Sequence, residues 1–180
     1  MSDRVDDAGT SRIRLATPAD RAAVRELHLA SWRANYGAEL PADFLLNRLP
    51  VEMETKWAAR GFVWPELTLV ADDRDGLAGF VCALADRAPP LIDNLHVRPG
   101  LNSRGVGAAL LDAALDGLTE RGFEAATLTV LESNPRARAF YLRMGGRDAG
   151  LVADELVGRP VTARRIDFDL SGRGARKPAP

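Results

Sequence analysis

The chain has 180 residues, with 24 Lys+Arg against 25 Asp+Glu and a formal net charge of -1; this is the size of one ordinary domain, without the basic excess that drives binding to nucleic-acid backbones or anionic membranes. Hydrophobic residues at 46% and charged residues at 27% describe a globular chain rather than a disordered one. One cysteine, Cys82, and two histidines exclude an intrachain disulfide and the usual Cys/His zinc cage.

Residues 1–11 are polar and aperiodic and are expected to be a flexible tail, as are residues 171–180; a single domain is expected over 12–170. A short strand at Arg12–Ala16 comes first, then Thr17-Pro18 as N-cap and first-turn proline of a helix to about Ala34. A second helical region is expected over Ala42–Arg60. Leu67–Ala71 and Leu77–Ala85, parted by the turn cluster Asp72–Gly76, read as a hairpin whose second strand buries Cys82 as an inert thiol. Leu91–Val97 is a further strand, followed by Arg98-Pro99-Gly100 and a helix from Gly105 to about Arg121. Gly122 stops that helix, and Ala125–Leu131 reads as a buried strand, so the order strand, glycine turn, helix, strand predicts a βαβ unit with a parallel pair. Asn134-Pro135 opens a helix to Met144, Gly145-Gly146 ends it, and strands are expected at Arg147–Val152 and Val161–Leu170. The sum is an α/β fold, a mixed sheet with helices packed on it. No apolar run reaches the ~18 residues of a membrane span, and the acidic opening does not fit a secretory signal, so a cytoplasmic location is expected.

The strongest chemistry lies in Arg98–Ala108. A glycine-rich turn into a helix directs unpaired N–H groups and the helix dipole at one point, which suits a pyrophosphate. Gly100 and Gly105 have the GxxxxG spacing of a P-loop, but Val106-Gly107 stands where Lys and Ser/Thr are required; a dinucleotide fingerprint fails because Leu110 occupies the third glycine. Leu95-His96-Val97-Arg98-Pro99 with Gly105-Val106-Gly107 instead resembles the acetyl-coenzyme A motif of the GNAT family of N-acetyltransferases. Asn102 stands where that family has Gln or Arg, and Ser103 replaces a frequent glycine. Asn134–Gly145 resembles the family's second cofactor segment, Asn-x-x-Ala-x-x-Phe-Tyr-x-x-x-Gly-Phe, with Gly146 in place of the final Phe.

The resemblance implies a mixed, mostly antiparallel central sheet of about six to seven strands, with a parallel pair splayed around the cofactor and about four flanking helices. It implies acetyl transfer from acetyl-CoA, without a metal, to a small-molecule or peptide amine, by direct attack in a ternary complex; the different-class alternative is a non-catalytic acyl-CoA sensor. Tyr141 is carried over as general acid to the coenzyme sulfur, and Asp93 as base or substrate carboxylate, an acid alternating with Leu91, Leu95 and Val97. The amide of Val97 is the carbonyl partner and Asn134 a pantetheine contact. The remaining coenzyme contacts are Leu95, His96, Asn102, Ser103, Arg104, Gly105, Val106, Gly107, Ala108, Arg136 and Ala137. His96 titrates in the right range for a base, but a regular strand turns it to the face opposite Asp93. Trp32 and Tyr36, at i and i+4, are expected to pack in the core with part exposure to the acceptor cleft. A monomer or homodimer is expected, with no nucleic-acid or membrane partner. Arg98 and Arg104 are the formal charges between Asp93 and Asp112, and Ser133–Arg147 holds four arginines and no acid, so these segments are expected to meet the coenzyme phosphates.

Overall fold

The computed structural model describes residues 11–36, 40–101, 105–156 and 158–173. Most of both expected tails lies outside them. Seven strands, β1 (Arg12–Leu15), β2 (Glu66–Asp73), β3 (Gly76–Leu84), β4 (Leu91–Val97), β5 (Ala125–Leu131), β6 (Arg147–Leu156) and β7 (Arg159–Asp169), form one sheet in the order β1-β2-β3-β4-β5-β7-β6. Four α-helices accompany it among the described residues: α1 (Arg21–Tyr36), α2 (Leu49–Ala58), α3 (Val106–Thr119) and α4 (Pro135–Arg143). β1 is antiparallel to β2, and β7 is antiparallel to both β5 and β6. β4 and β5 are parallel, with Leu91 opposite Thr127, as the βαβ order requires. Cys82 is buried in β3 and forms no disulfide.

The chain divides into two compact units, to which β2, β3, β4 and α3 each contribute residues on both sides. The first holds residues up to Phe62 with Thr68–Val81 and Leu95–Leu110. Its entry into α1 is fixed by charge: Asp20 accepts the Thr17 backbone N–H at 2.8 Å, and Arg14 donates to both oxygens of Asp20 at 2.8 Å and to Asp72 at 2.7 Å. That bidentate pair holds the Asp20 carboxyl well below the usual carboxylate range. The second helical region is not one regular helix. Phe44–Arg48 makes a π-turn before α2 begins, with the Leu49 N–H reaching back to the Phe44 carbonyl. Pro50, lacking an N–H, cannot continue the regular ladder, and the wider turn absorbs the break. At the other end of α2, Arg21 donates to the carbonyls of Trp57 at 3.0 Å and Arg60 at 2.9 Å, satisfying acceptors that a helix terminus leaves open.

The second unit holds Val63–Leu67, Cys82–Asn94 and Leu111 onward. Leu111, Leu115 and Leu118 of α3 are fully buried, as are Ile166 of β7 and, nearly so, Leu128 of β5. Arg138 on α4 and Arg164 on β7 converge on Asp148, at 2.7 and 3.2 Å, tying α4 to the β6–β7 pair. Gly146 shows why this chain departs from the family's Phe there. A Cβ at Gly146 would stand 2.5 Å from Ile166 Cγ2 and 2.9 Å from the Tyr141 carbonyl, which itself accepts the Gly146 N–H at 2.9 Å. Gly146→Ala is therefore expected to cost about 1–3 kcal/mol by overpacking, read as a lower denaturation midpoint at unchanged m-value.

Candidate active site

The C-terminal end of β4 and the turn into α3 belong to the first unit. The Arg98 N–H donates to the Ala78 carbonyl at 2.8 Å, and its guanidinium meets Asp73 at 2.6 Å, so the β2–β3 hairpin pins the start of the turn. Gly100 and Gly105 have φ of +91° and +82°, a left-handed backbone that side chains resist. The Ala109 N–H donates to the Gly105 carbonyl at 3.0 Å, so by helix geometry the N–H groups of Val106, Gly107 and Ala108 precede the regular ladder and are available to an anion. Asn102, Ser103 and Arg104 lie outside the described residues. Gly79 of β3 has a role here that the sequence did not reveal. A Cβ there would stand 2.9 Å from both the His96 carbonyl and Leu110 Cδ1, so glycine allows β3 to approach β4 and the first turns of α3 closely.

The same unit carries a polar and aromatic cluster. His96 turns from the Leu95 and Val97 face toward α1, where its Nδ1 stands 2.8 Å from Ser31 Oγ. Asn35 Nδ2 donates to that oxygen at 3.1 Å. The His96 ring lies 4.3 Å from that of His28, which is 1% exposed and receives the Trp57 indole N–H on Nδ1 at 3.0 Å. Coenzyme contact by His96 is therefore left to its main chain, its ring being taken up by α1. Trp32 and Tyr36 are half-buried, their rings 5.1 Å apart, and Trp32 meets His28 edge-on at 6.1 Å. His28, Ser31 and Asn35 recur at helical spacing; that pattern alone signals a helix face, and the polar pairing becomes visible only once β4 lies against it.

In the second unit, Asn134 caps α4, its Oδ1 accepting the Ala137 N–H at 3.0 Å. The cap leaves the Asn134 amide as the group able to donate to a ligand. Tyr141 is half-buried, its ring edge-on to Phe140 at 5.2 Å. Asp93 is half-buried, and its carboxylate accepts from the Asn94 side-chain amide. The expected setting of Asp93 needs correction: the fully buried side of β4 is that of Ile92 and Asn94, while Leu91, Asp93, Leu95 and Val97 are each half-buried. An acid on that partly open face needs no special compensation. Thus Leu95, His96, Val97 and Gly105–Ala108 share one unit with Trp32 and Tyr36, and Asp93, Asn134, Arg136, Ala137 and Tyr141 share the other.

The arginines expected to meet phosphate divide by ion pairing. Arg98, Arg138 and Arg147 are ion-paired with Asp73, Asp148 and Asp167, whereas Arg136 and Arg143 are exposed on α4. A cavity of about 570 Å³ is lined by residues including Glu124, Thr127, Arg147, Arg165 and Asp167; of the arginines expected to meet phosphate, Arg147 lines it. Among the described residues no group of His, Cys, Asp or Glu is placed to hold a metal ion, and no helix is long and apolar enough to cross a membrane.

A model of the acetyltransferase (GNAT) family matches residues 21–146. A mycothiol acetyltransferase of Beutenbergia cavernae is 40% identical over 102 residues, 56% of this chain; the chain spans 33% of that relative's length. The [ribosomal protein bS18]-alanine N-acetyltransferase of Salmonella typhimurium is 31% identical over 115 residues, 62% of this chain and 76% of the relative. The crystal structure of a GCN5-related N-acetyltransferase from Rhodopseudomonas palustris superposes with a TM-score of 0.72 at 22% identity, covering 91% of this chain and 98% of the other.

Proposed function

The chain belongs to the acetyltransferase (GNAT) family, and from that premise we propose that it transfers the acetyl group of acetyl-CoA to a primary amine by direct attack in a ternary complex. The observation that carries the reading is the two-part coenzyme signature: a left-handed glycine turn opening α3, and an Asn134-capped α4 that bears Tyr141. The amides of Val106, Gly107 and Ala108 would hold the pyrophosphate, with Asn102, Ser103 and Arg104 as further contacts and Arg136 as a cation for phosphate. The main chain of Leu95–Val97 and the Asn134 amide would line the pantetheine arm beside Ala137, with the Val97 N–H polarising the thioester carbonyl. Tyr141 would donate a proton to the departing sulfur.

Asp93 is assigned as the carboxylate that meets the acceptor's ammonium group, and Trp32 with Tyr36 as a wall of the acceptor cleft, aromatic faces that suit a cation. A small molecule or a peptide terminus both satisfy this description. The two relatives named above are a mycothiol acetyltransferase and an alanine N-acetyltransferase acting on a ribosomal protein, one of each acceptor size.

The test is thiol release from acetyl-CoA over a panel of small amines and peptides. Turnover with at least one acceptor is expected; coenzyme binding with no turnover across the panel would favour a non-catalytic sensor instead. On the acceptor found, Asp93→Asn is expected to raise KM about tenfold, equivalent to about 1.4 kcal/mol, with a smaller change in kcat. An unchanged KM would remove Asp93 from the acceptor site.

A further inference from the structure

We propose that the ion pair between Arg138 and Asp148 sets the roll of α4 over the β6–β7 pair, and with it the places of Asn134 and Tyr141, making Arg138 and Asp148 positioning residues for acetyl transfer. This rests on the acetyl-transfer reading above, and every residue it uses lies in the second unit. Asn134 at the cap, Arg138 and Tyr141 stand at i, i+4 and i+7, so they share one stripe of α4. Whatever fixes the middle one fixes the other two.

Helix α4 cannot place itself. It has 9 residues, too few to persist on local bonds, and none of its side chains is fully buried, so no deep side chain fixes its rotation on the sheet. Its ends are closed by local bonds: Asn134 Oδ1 accepts the Ala137 N–H at 3.0 Å, and the Tyr141 carbonyl accepts the Gly146 N–H at 2.9 Å. Its body is joined to β6 by Arg138, whose Nε and Nη2 both meet Asp148 Oδ2, at 2.8 and 2.7 Å.

Asp148 is itself held in place. It stands where β6 shifts register against β7, between Asp148 and Leu151, and a bulge of this kind re-aims a side chain. Gly150, with φ of +103°, turns its N–H back to Asp148 Oδ1 at 2.9 Å. Oδ2 is left to the two arginines, Arg138 and, at 3.2 Å, Arg164 of β7. Arg164 also reaches Glu132 at 3.3 Å, two residues before the cap, so the same network steadies the entry to α4. The Asp148 side chain is 17% exposed, which separates this pair from the freely solvated bridges that contribute little. The Gly150 N–H first, then Arg138 and Arg164, hold its carboxyl below the usual carboxylate range against desolvation, so the pair is charged at neutral pH.

The proposed reaction asks two things of this helix: the Asn134 amide on the pantetheine arm and the Tyr141 proton for the departing sulfur. Without the ion pair α4 keeps its cap and its closing bond to Gly146, but it is free to roll and carries both groups with it. A misplacement of about 1 Å at a reacting group can cost ~10²-fold in rate.

Arg138→Gln keeps helix propensity and removes the charge. It is expected to lower kcat at saturating acetyl-CoA at least ~10-fold, and Arg138→Lys, a point charge able to reach one oxygen, to recover part of the loss. The deciding measurement is a double-mutant cycle: because Arg138 acts through Tyr141, Arg138→Gln should have little further effect on kcat in a Tyr141→Phe background. Amide hydrogen exchange needs no acceptor. In Arg138→Gln the N–H groups of Arg138, Met144 and Gly146 should exchange faster, while those of β5 keep the wild-type rate. Rate losses that multiply in the cycle, an Arg138→Gln enzyme with wild-type kcat, or unchanged exchange in α4 each overturn the positioning role and leave acetyl transfer standing. A Tyr141→Phe enzyme with wild-type turnover overturns the acid assignment and this inference with it, and a wild type that acetylates no amine overturns the acetyl-transfer reading and all that rests on it.

Discussion

Tyr141→Phe is expected to lower kcat at least ~10²-fold, about 2.7 kcal/mol of lost transition-state stabilisation, while acetyl-CoA affinity stays nearly unchanged. The substitution deletes one oxygen and keeps the ring. The edge-on contact with Phe140 survives, and the bond that ends α4 uses the Tyr141 main-chain carbonyl, not the side chain. Tyr141 is only half-buried, and the loss should appear in kcat more than in stability. The chemistry that disappears is proton delivery. A phenol, with a reference pKa near ~10, is a weaker acid than a thiol near ~8.5, yet close enough to share its proton as the C–S bond breaks. The pH profile separates this role from a positional one: the wild type should lose kcat on the alkaline side, whereas the Phe enzyme should be slow and flat there. A Phe enzyme with wild-type turnover across that range would show that the sulfur is protonated from elsewhere.

The parts of the molecule legible from sequence are those in which one segment determines its own geometry. Asn134-Pro135 predicts a capped helix, and the Asn134 Oδ1 does receive the Ala137 N–H. The glycines at 100 and 105 predict a tight turn into α3, and both adopt positive φ. The strand, turn, helix, strand order predicts the parallel β4–β5 pair. What escaped depends on distant segments. Gly79 reads as an unremarkable strand glycine until the His96 carbonyl and Leu110 are seen where its side chain would be. Gly146 looks like a departure from a family motif, and its cause is Ile166, twenty residues on. The arginine surplus of 133–147 suggests a phosphate site; Asp148 and Asp167 claim Arg138 and Arg147 for the fold. Charge counted along a segment cannot register a counterion held on another strand. The same limit hid Ser31 and Asn35, which acquire a partner only through the placement of His96.

The second large effect falls on stability. Between pH 6.5 and 4.5 the protein is expected to lose about 2 kcal/mol through His28 alone. In the unfolded chain His28 is an ordinary imidazole that binds a proton below about 6.5. In the folded protein it is 1% exposed, and desolvation, then His96, Lys56 and Arg60, hold it neutral far into acid. The unfolded state therefore binds the extra proton, and stability falls with decreasing pH at up to about 1.4 kcal/mol per unit, while above about 6.5 this contribution is complete and flat. Asp20, Asp148 and Asp169, whose folded pKa values are lowered, act in the same direction in a different window. Their stabilisation is present above the unfolded carboxylate range, near ~4, and is lost only as pH falls below it. Denaturant unfolding at pH 7.0, 5.5 and 4.5 should thus show a falling midpoint in the wild type before those carboxylates contribute. His28→Gln, less stable at neutral pH because it disturbs the packing against Trp57 and Phe80, should lose most of the slope between 6.5 and 4.5, so that the two proteins converge in acid. A wild type equally stable at pH 7.0 and 4.5, or a Gln variant with the full wild-type slope, would show that the buried imidazole is not what couples this fold to the proton.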